Sequence, residues 1–266
     1  MLKTYIDKYL IKIKKIGKNN INYITNIGKA ILILKKTLIR KHKINKNQII
    51  KNIYFIGVLS IGIISVSGFF IGMVVGLQGF NILKKFGAEQ LSGQMSTLTI
   101  IRELGPVVTA LLFAGRTGSS LTAEIGLMKS TEQLSSMEMM GIDPLKTIIT
   151  PKFFAGILSI FFLNLIFIIT AIIGSNIIIV FWLNVDNTIY WSNIKEAISL
   201  KLDIINSLIK SVIFGFIIIW ISVFQGINCN SNANGIGIST TNTVVYSSFF
   251  VLGINFLLTT IMFSWK

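Results

Sequence analysis

Two adjacent charged residues, Arg102 and Glu103, interrupt a stretch of chain, 95–121, that is otherwise apolar enough to cross a bilayer. A charge inside hydrocarbon costs about 3 kcal/mol even on the mildest scales, so it needs a partner and commonly marks a functional site. Glu103 could pair with Arg102 or with Arg116. A helical separation of 13 residues is about 20 Å, which excludes a Glu103–Arg116 bridge within one helix. A functional charge pair and a structural ion pair that anchors helix packing both remain open.

Pro106 and Arg116 also distinguish this stretch from a regular apolar helix. Because Pro106 has no backbone N–H, it kinks a helix or starts a helical segment, and neighbouring groups must satisfy the carbonyl that it leaves unpaired. Arg116 lies near the end of the stretch, where it could extend to lipid headgroups or contact Glu124 or Glu132. We interpret Arg116 as a structural residue at the junction between the membrane and the next helix.

Residues 122–141 combine polar side chains with methionines and contain no proline. Their richness in helix formers predicts a short helix outside the membrane. Methionine adapts to irregular binding surfaces, so this helix could dock a soluble partner, although a solvated helix face is equally consistent with the residues. The polar candidates for such a contact are Glu124, Lys129, Glu132, Gln133 and Glu138.

The elements that position these residues are predicted to be membrane helices. The 266-residue chain is 52% hydrophobic and only 13% charged, whereas about a quarter of a soluble domain is charged. Residues 53–83, 153–185 and 211–265 contain no charged side chain, and about 20 apolar residues suffice for one helical span. The fold class predicted is therefore an all-α integral membrane protein with five transmembrane helices. Their predicted bounds are 53–78, 95–120, 155–182, 205–227 and 243–264.

The charge of +15 is concentrated at the N-terminus, where residues 1–52 carry 14 Lys/Arg against the single acid Asp7. Apolar and basic residues alternate there, which predicts an amphipathic helix on the membrane surface; a basic, partly disordered tail is the alternative. A basic segment beside the first span places the N-terminus on the cytoplasmic side, together with the segment 122–152. The chain thus divides into an N-terminal segment, 1–52, and a membrane domain, 53–266.

Several kinds of chemistry find no support in the sequence. No GxxxxGK[ST] loop is present to cradle phosphates, so we expect this chain not to hydrolyse nucleotides. With one cysteine, Cys229, and one histidine, His42, we expect no metal site and no cofactor. Nucleic acid is not an expected partner, because the basic segment adjoins a membrane span where anionic lipid is the simpler partner. The first 30 residues also lack the apolar region of a secretory signal.

Five short motifs follow one another between residues 102 and 151. They are R-E-L-G-P at 102–106, A-G-R-x-G at 114–118, A-E-I-G-x-M-K at 123–129, T-E-Q-L at 131–134 and M-G-I-D-P at 140–144. Together they closely resemble the MlaE family, the permease subunits of lipid-trafficking ABC transporters in bacteria and plastids. The resemblance covers about residues 55–265. The abundance of Ile, Lys and Asn, which have AT-rich codons, makes the chain look like the plastid-encoded member of red algae and their relatives.

The resemblance implies a homodimer with five spans per chain and a lipid cavity at its centre. It implies two ATPase subunits docked on the cytoplasmic or stromal side and an MCE-domain lipid-binding protein on the other face. Residues 122–141 correspond to the family's coupling helix, which favours ATPase contact for its polar residues. The cargo implied is phospholipid or phosphatidic acid moved across or between envelope membranes. The membrane implied is the plastid inner envelope, with a bacterial inner membrane as the alternative.

One segment departs from the family pattern. Gly235–Thr241 reads G-I-G-I-S-T-T where the family commonly has G-V-G-R-A-T-T, so Ile238 stands in place of an arginine. Two other functions also remain open on the residues alone. The first is a membrane scaffold that recruits soluble partners through the helix at 122–141 without transporting anything, and the second is a stand-alone channel.

Overall fold

The computed structural model describes residues 46–263, together with the isolated positions 25, 28 and 32. From residue 46 onward the described chain belongs to one compact unit of helices, and it contains no β-strand. The predicted all-α fold class is confirmed for this part of the chain. Most of the predicted amphipathic segment, 1–52, lies outside the described residues, so its place on the membrane surface stays a prediction.

Five helices in the described chain are long and apolar enough to cross a membrane, with mean hydropathy between 1.5 and 2.6 over their most apolar windows. Spans one to five are Asn47–Lys84, Glu89–Ser130, Leu145–Trp182, Leu202–Asn228 and Ala233–Met262. The predicted number and order of the spans are confirmed. The predicted start of the fifth span at 243 is wrong, because the helix already begins at Ala233. Gly235–Thr241 therefore belongs to a helix, on which Ile238 is exposed.

The long spans are assembled from shorter α-helices joined by tighter or wider turns. The α-helices are Lys46–Ile56, Ile61–Lys84, Ser92–Thr99, Gly105–Phe113, Ser119–Ser130, Gln133–Met139, Thr150–Asn176, Asn187–Ala197, Ile205–Asn228 and Ala233–Phe263. Short 3₁₀ turns at Val58–Ser60 and Glu89–Leu91 join or begin them. The π-helical turns are Ile100–Leu104, Ala114–Gly118, Leu145–Ile149, Ile177–Trp182 and Leu200–Ile204. Such turns are rare and frequent at functional sites.

Consecutive spans run in opposite directions, so the bundle has two ends. We call the end where spans one, three and five begin the N-terminal face, and the other end the opposite face. The connection 131–144 lies on the N-terminal face and carries the short helix Gln133–Met139. The connection 183–201 lies on the opposite face and carries the helix Asn187–Ala197.

Spans one and three pack closely through glycines. Gly68, Gly72 and Gly76 lie on one face of span one, spaced by four residues, and all three are buried. A Cβ atom added at Gly72 would overlap the carbonyl oxygen of Ala171, and one at Gly76 would lie 3.1 Å from the Cα of Ser175. Small residues at this spacing let two membrane helices approach backbone to backbone. These glycines of span one therefore serve its packing against span three.

Gly72→Ala should therefore lower the free energy of unfolding by about 3 kcal/mol, the upper end of typical overpacking effects. The added methyl group meets a backbone oxygen that cannot rotate away, so spans one and three must separate. Gly62→Ala is the matched control on the same span, since nothing lies within 4 Å of a Cβ there. Thermal unfolding of the full chain in detergent measures both variants. Equal midpoints for the two would contradict the packing role.

The helix Asn187–Ala197 is fixed to the opposite face by its cap and by one buried tyrosine. The Asp186 carboxylate accepts hydrogen bonds from Thr188 N at 2.7 Å and Ile189 N at 3.4 Å. These bonds, the one from Thr188 above all, lower the pKa of Asp186 below its usual value. Tyr190 is fully buried, and its hydroxyl lies 2.9 Å from Ser175 Oγ of span three. The helix thus covers the beginning of span two and the end of span three.

The prediction of one helix over 122–141 is wrong. Residues up to Ser130 continue span two, and Leu121, Thr122, Ile125 and Gly126 are buried against the bundle. The helix breaks at Thr131–Glu132, where Glu132 has a left-handed backbone with φ of 56°. A second, separate helix, Gln133–Met139, follows and has no buried residue. This helix ends at Met139. Gly141, two residues later, terminates it with a φ of 75°, which glycine adopts easily.

Candidate functional site

A buried lysine occupies the place that Pro106 leaves open in span two. In a regular α-helix the N–H of residue 106 would bond the carbonyl of Arg102, and proline has no such N–H. The π-helical turn Ile100–Leu104 lies immediately before this proline, and Gly105–Phe113 resumes the α-helix. Lys210 Nζ of span four donates to the Arg102 carbonyl oxygen at 3.0 Å. Two alternatives were predicted for Pro106, a kink or the start of a helical segment, and the structure shows the second, since Pro106 lies in the first turn of Gly105–Phe113.

The same ammonium group holds Glu103. Lys210, whose side chain is 0% exposed, lies 3.0 Å from Glu103 Oε1 and donates to Thr259 Oγ1 at 2.8 Å. The Thr259 hydroxyl in turn donates to the Glu103 carboxylate, and Asn255 Nδ2 donates to Glu103 Oε2 at 3.1 Å. Spans two, four and five therefore meet at a single ion pair whose hydrogen bonds are largely satisfied.

Arg102 forms a second ion pair beside the first. Its Nε donates to Asp203 Oδ1 at 2.8 Å, and the Asp203 side chain is only 2% exposed. Asp203 Oδ2 also accepts from the backbone N–H and the hydroxyl of Ser199, each at 3.0 Å. Asp203 lies on the π-helical turn Leu200–Ile204, so this pair joins two π-helical turns.

These two pairs form a polar cluster that is closed on one side and open on the other. Lys210 and Asp203 are buried, whereas the side chains of Arg102 and Glu103 are each 35% exposed. A guanidinium group can bind a phosphate with two parallel hydrogen bonds. Arg102 is held by Asp203, and its side chain remains partly exposed. We call Arg102, Glu103, Asp203, Lys210, Asn255 and Thr259 the membrane cluster.

The predicted partners of these charges were incorrect. Glu103 pairs with Lys210 rather than with Arg102 or Arg116. Arg116 donates to Ser60 Oγ of span one and not to Glu124 or Glu132. Sequence reasoning missed four cluster members, Asp203, Lys210, Asn255 and Thr259. Lys210 carried a usable signal, because it is the one charge inside the predicted fourth span, 205–227.

Two of the predicted contact residues on the N-terminal face bind within the chain instead. Lys129 Nζ donates to the carbonyl oxygens of Ile227 and Cys229, at 2.8 and 2.7 Å. It thereby satisfies the unpaired carbonyls at the end of span four, where a positive charge is favourable. Glu124 forms a salt bridge with Lys152 at the start of span three. Both residues fix span two against its neighbours.

The remaining predicted contact residues are exposed. Glu132, Gln133 and Glu138 all lie on or next to the short helix Gln133–Met139 and point away from the bundle. Met139 and Met140 are 83% and 67% exposed at its end. The helix therefore presents two carboxylates and two methionines outside the bundle, which is the chemistry of a protein-docking surface.

The described chain has five helices that could span a membrane, an ion-pair cluster between three of them, and an exposed helix between spans two and three. This arrangement is that of a polytopic membrane protein of the permease class. Ionisable residues inside spans mark substrate or ion pathways. The family model of the MlaE permeases matches residues 49–261. The chain belongs to the MlaE permease family, whose members are permease subunits of ABC transporters.

Individual relatives agree with this assignment. The chain is 48% identical over 253 residues to the intermembrane phospholipid transport system permease protein MlaE of Haemophilus influenzae, covering 94% of this chain and 97% of that protein. It is 36% identical over 195 residues to a probable ABC transporter permease protein of Rickettsia typhi, covering 73% and 75%. It is also 32% identical over 194 residues to the chloroplastic protein TRIGALACTOSYLDIACYLGLYCEROL 1 of Arabidopsis thaliana, covering 73% and 55%.

Proposed function

We propose that this chain is the permease through which an ABC system moves phospholipid, phosphatidic acid included, across or between envelope membranes. The membrane cluster is the observation that carries the proposal. A fully buried Lys210 holds Glu103 in place, while Arg102 and Glu103 stay partly open at membrane depth. A lipid headgroup that leaves the membrane surface needs such polar partners inside the hydrocarbon.

The active form proposed is a homodimer. In a single chain the side chains of Arg102 and Glu103 are each 35% exposed, although both residues lie within span two. Charged side chains in membranes face a bundle interior or a water-filled cavity, and a second copy would create one. Span five, which supplies Asn255 and Thr259 to the cluster, has only 11% of its most apolar window buried within the chain, against 56% for span four. Its remaining surface is available for a second copy.

A separate ATPase subunit is proposed to dock on the helix Gln133–Met139. Of the coupling residues predicted, Glu132, Gln133 and Glu138 are exposed and suited to direct contact. Glu124 and Lys129 support the contact from within, because they tie the end of span two to spans three and four. Force applied to this helix would reach Arg102 and Glu103 along span two, which carries these two residues and ends at Ser130, just before the helix begins.

An MCE-domain lipid-binding protein is proposed as the partner on the opposite face, near the helix Asn187–Ala197. The N-terminal face then lies in the cytoplasm or stroma, in keeping with the 14 Lys/Arg of residues 1–52. The membrane proposed is an inner envelope membrane. The Haemophilus protein matches at higher identity and over more of the chain than the Arabidopsis protein, which favours a bacterial inner membrane over the plastid inner envelope.

Reconstitution of the full chain with its co-purified ATPase into liposomes tests the proposal. Transfer of labelled phospholipid to acceptor vesicles carrying the MCE-domain protein should require ATP and stop when the ATPase is inactivated at its Walker A lysine. A complex that assembles and hydrolyses ATP without moving lipid would support the scaffold alternative. Ion flux through the permease alone, without ATP, would support the stand-alone channel.

A further inference from the structure

A polar cavity lies at the N-terminal face, well apart from the membrane cluster. It has a volume of about 620 Å³ and opens between the first helix, Lys46–Ile56, the last third of span two and the start of span three. Arg116 lines this cavity, and 14 residues, about 21 Å of helix, separate it from Arg102. The proposed transport route does not use the cavity, and of the residues proposed for ATPase coupling only Glu124 lines it.

Three cations line the cavity against one carboxylate. Lys51, Arg116 and Lys152 contribute positive charges, and Glu124, which forms a salt bridge with Lys152, contributes the negative one. Arg116 also donates to Ser60, which orients its guanidinium group. The Lys51 side chain is exposed at the rim. The lining therefore keeps a net charge of +2, from three cations and one carboxylate, which favours an anion.

The position of the cations matches the level of lipid headgroups. Lys51 and Lys152 are the last charged residues before the uncharged stretches 52–83 and 153–185. Charge therefore ends at the same level in spans one and three, as expected where the hydrocarbon begins. The lining also includes the apolar side chains of Phe55, which is 54% exposed, Ile56 and Leu121, beside polar Asn52, Thr117 and Ser120.

We propose that this cavity binds the phosphate of an anionic phospholipid from the leaflet at the N-terminal face. Basic pockets between membrane helices on the cytoplasmic side suit such headgroups, and a volume of this size accommodates a small ligand. The apolar wall at Phe55 and Leu121 would contact the beginning of the acyl chains, which a free phosphate would leave uncovered. The bound lipid bridges span one to the part of span two that leads to the helix Gln133–Met139.

Charge reversal at the rim tests the site without any need for ATP or for the ATPase. Lys51→Glu should lower the amount of phosphatidylglycerol retained by the full chain on the order of tenfold, since each Lys or Arg near an anionic surface contributes appreciably to binding. Native mass spectrometry of protein extracted from phosphatidylcholine nanodiscs with one-tenth phosphatidylglycerol measures the retention. Lys146→Glu is the matched control: the same charge change on the same face, outside the cavity and beside Asp143.

Unchanged retention in Lys51→Glu, or an equal loss in Lys146→Glu, would overturn the proposal, the second by showing only a diffuse effect of surface charge. Addition of 10 mM inorganic phosphate, a concentration of about the usual buffer strength, separates the two sources of the anion. Retention that survives phosphate supports a lipid site. Displacement of the lipid by phosphate would instead show a site for the free anion. Lipid transfer by the reconstituted complex is scored separately, so failure here leaves the transport proposal untouched.

Discussion

Lys210→Met should abolish lipid transfer and lower the free energy of unfolding by about 3–5 kcal/mol, the usual cost of removing one partner from a buried ion pair. The ammonium group of Lys210 satisfies the Glu103 carboxylate and the Arg102 carbonyl together. Methionine fills the volume but donates nothing, so the Arg102 carbonyl loses the Lys210 hydrogen bond and Glu103 loses its cationic partner, keeping only the neutral donors Thr259 and Asn255. Chemical unfolding of the full chain in detergent measures the stability, and the reconstituted complex measures transfer.

Two companion variants separate the fold from the function of this pair. Lys210→Met combined with Glu103→Gln removes both charges and should recover about half of the lost stability, because the remaining cost is the lost hydrogen bond from Lys210 to the Arg102 carbonyl. Transfer should stay absent in this double variant if the charges serve the headgroup. Lys195→Met, at an exposed lysine of the helix Asn187–Ala197, should change stability by less than about 0.5 kcal/mol. Full transfer in the double variant would mean that the pair is only structural.

The spans could be predicted from the sequence because the bilayer requires long uncharged stretches, and these stretches are visible residue by residue. The glycines of span one could be interpreted for the same reason, since their spacing of four places them on one helix face. The partners of Glu103 could not be predicted. Lys210 and Thr259 lie 107 and 156 residues further along the chain, and their proximity depends on how spans two, four and five pack.

Local backbone changes set the second limit on prediction. The break at Glu132 depends on a left-handed residue that is not glycine, asparagine or aspartate, so no turn signal marks it. The early start of span five at Ala233 was hidden by the polar residues of Gly235–Thr241, which resemble a loop in composition. Both errors concern residues on the N-terminal face, where helices leave the membrane and polarity no longer distinguishes a helix from a connection.

Span two links the features that the proposed function needs. It carries Arg102 and Glu103 on one π-helical turn and Arg116 on another. Insertion of an extra residue into a helical turn weakens the regular i→i−4 ladder of hydrogen bonds. Lys210 of span four contacts the first of these π-helical turns, and Ser60 of span one contacts the second. The helix Gln133–Met139 follows shortly after the end of span two at Ser130, so a displacement of that helix by the proposed ATPase would act on the span that carries Arg102 and Glu103.

Reversing the charge of both exposed glutamates at the helix Gln133–Met139, Glu132→Lys with Glu138→Lys, should uncouple transport from ATP hydrolysis. Their side chains lie outside the bundle and make no salt bridge within the described chain, so folding and membrane insertion should be unchanged. An ATPase surface that complements two carboxylates would instead meet two ammonium groups, and like charges in an interface cost several kcal/mol. Lipid transfer should therefore fall to the level measured without ATP.

The control reverses two glutamates on the opposite face, Glu89→Lys with Glu196→Lys, and changes the net charge by the same amount. Because these residues lie at the far end of the bundle from the helix Gln133–Met139, ATPase binding should match the wild type. Co-purification of the ATPase gives the first readout, and the ratio of lipid transferred to ATP hydrolysed gives the second. A wild-type ratio in the Glu132/Glu138 variant would contradict the coupling role, since an interface that tolerates both reversals cannot depend on those carboxylates.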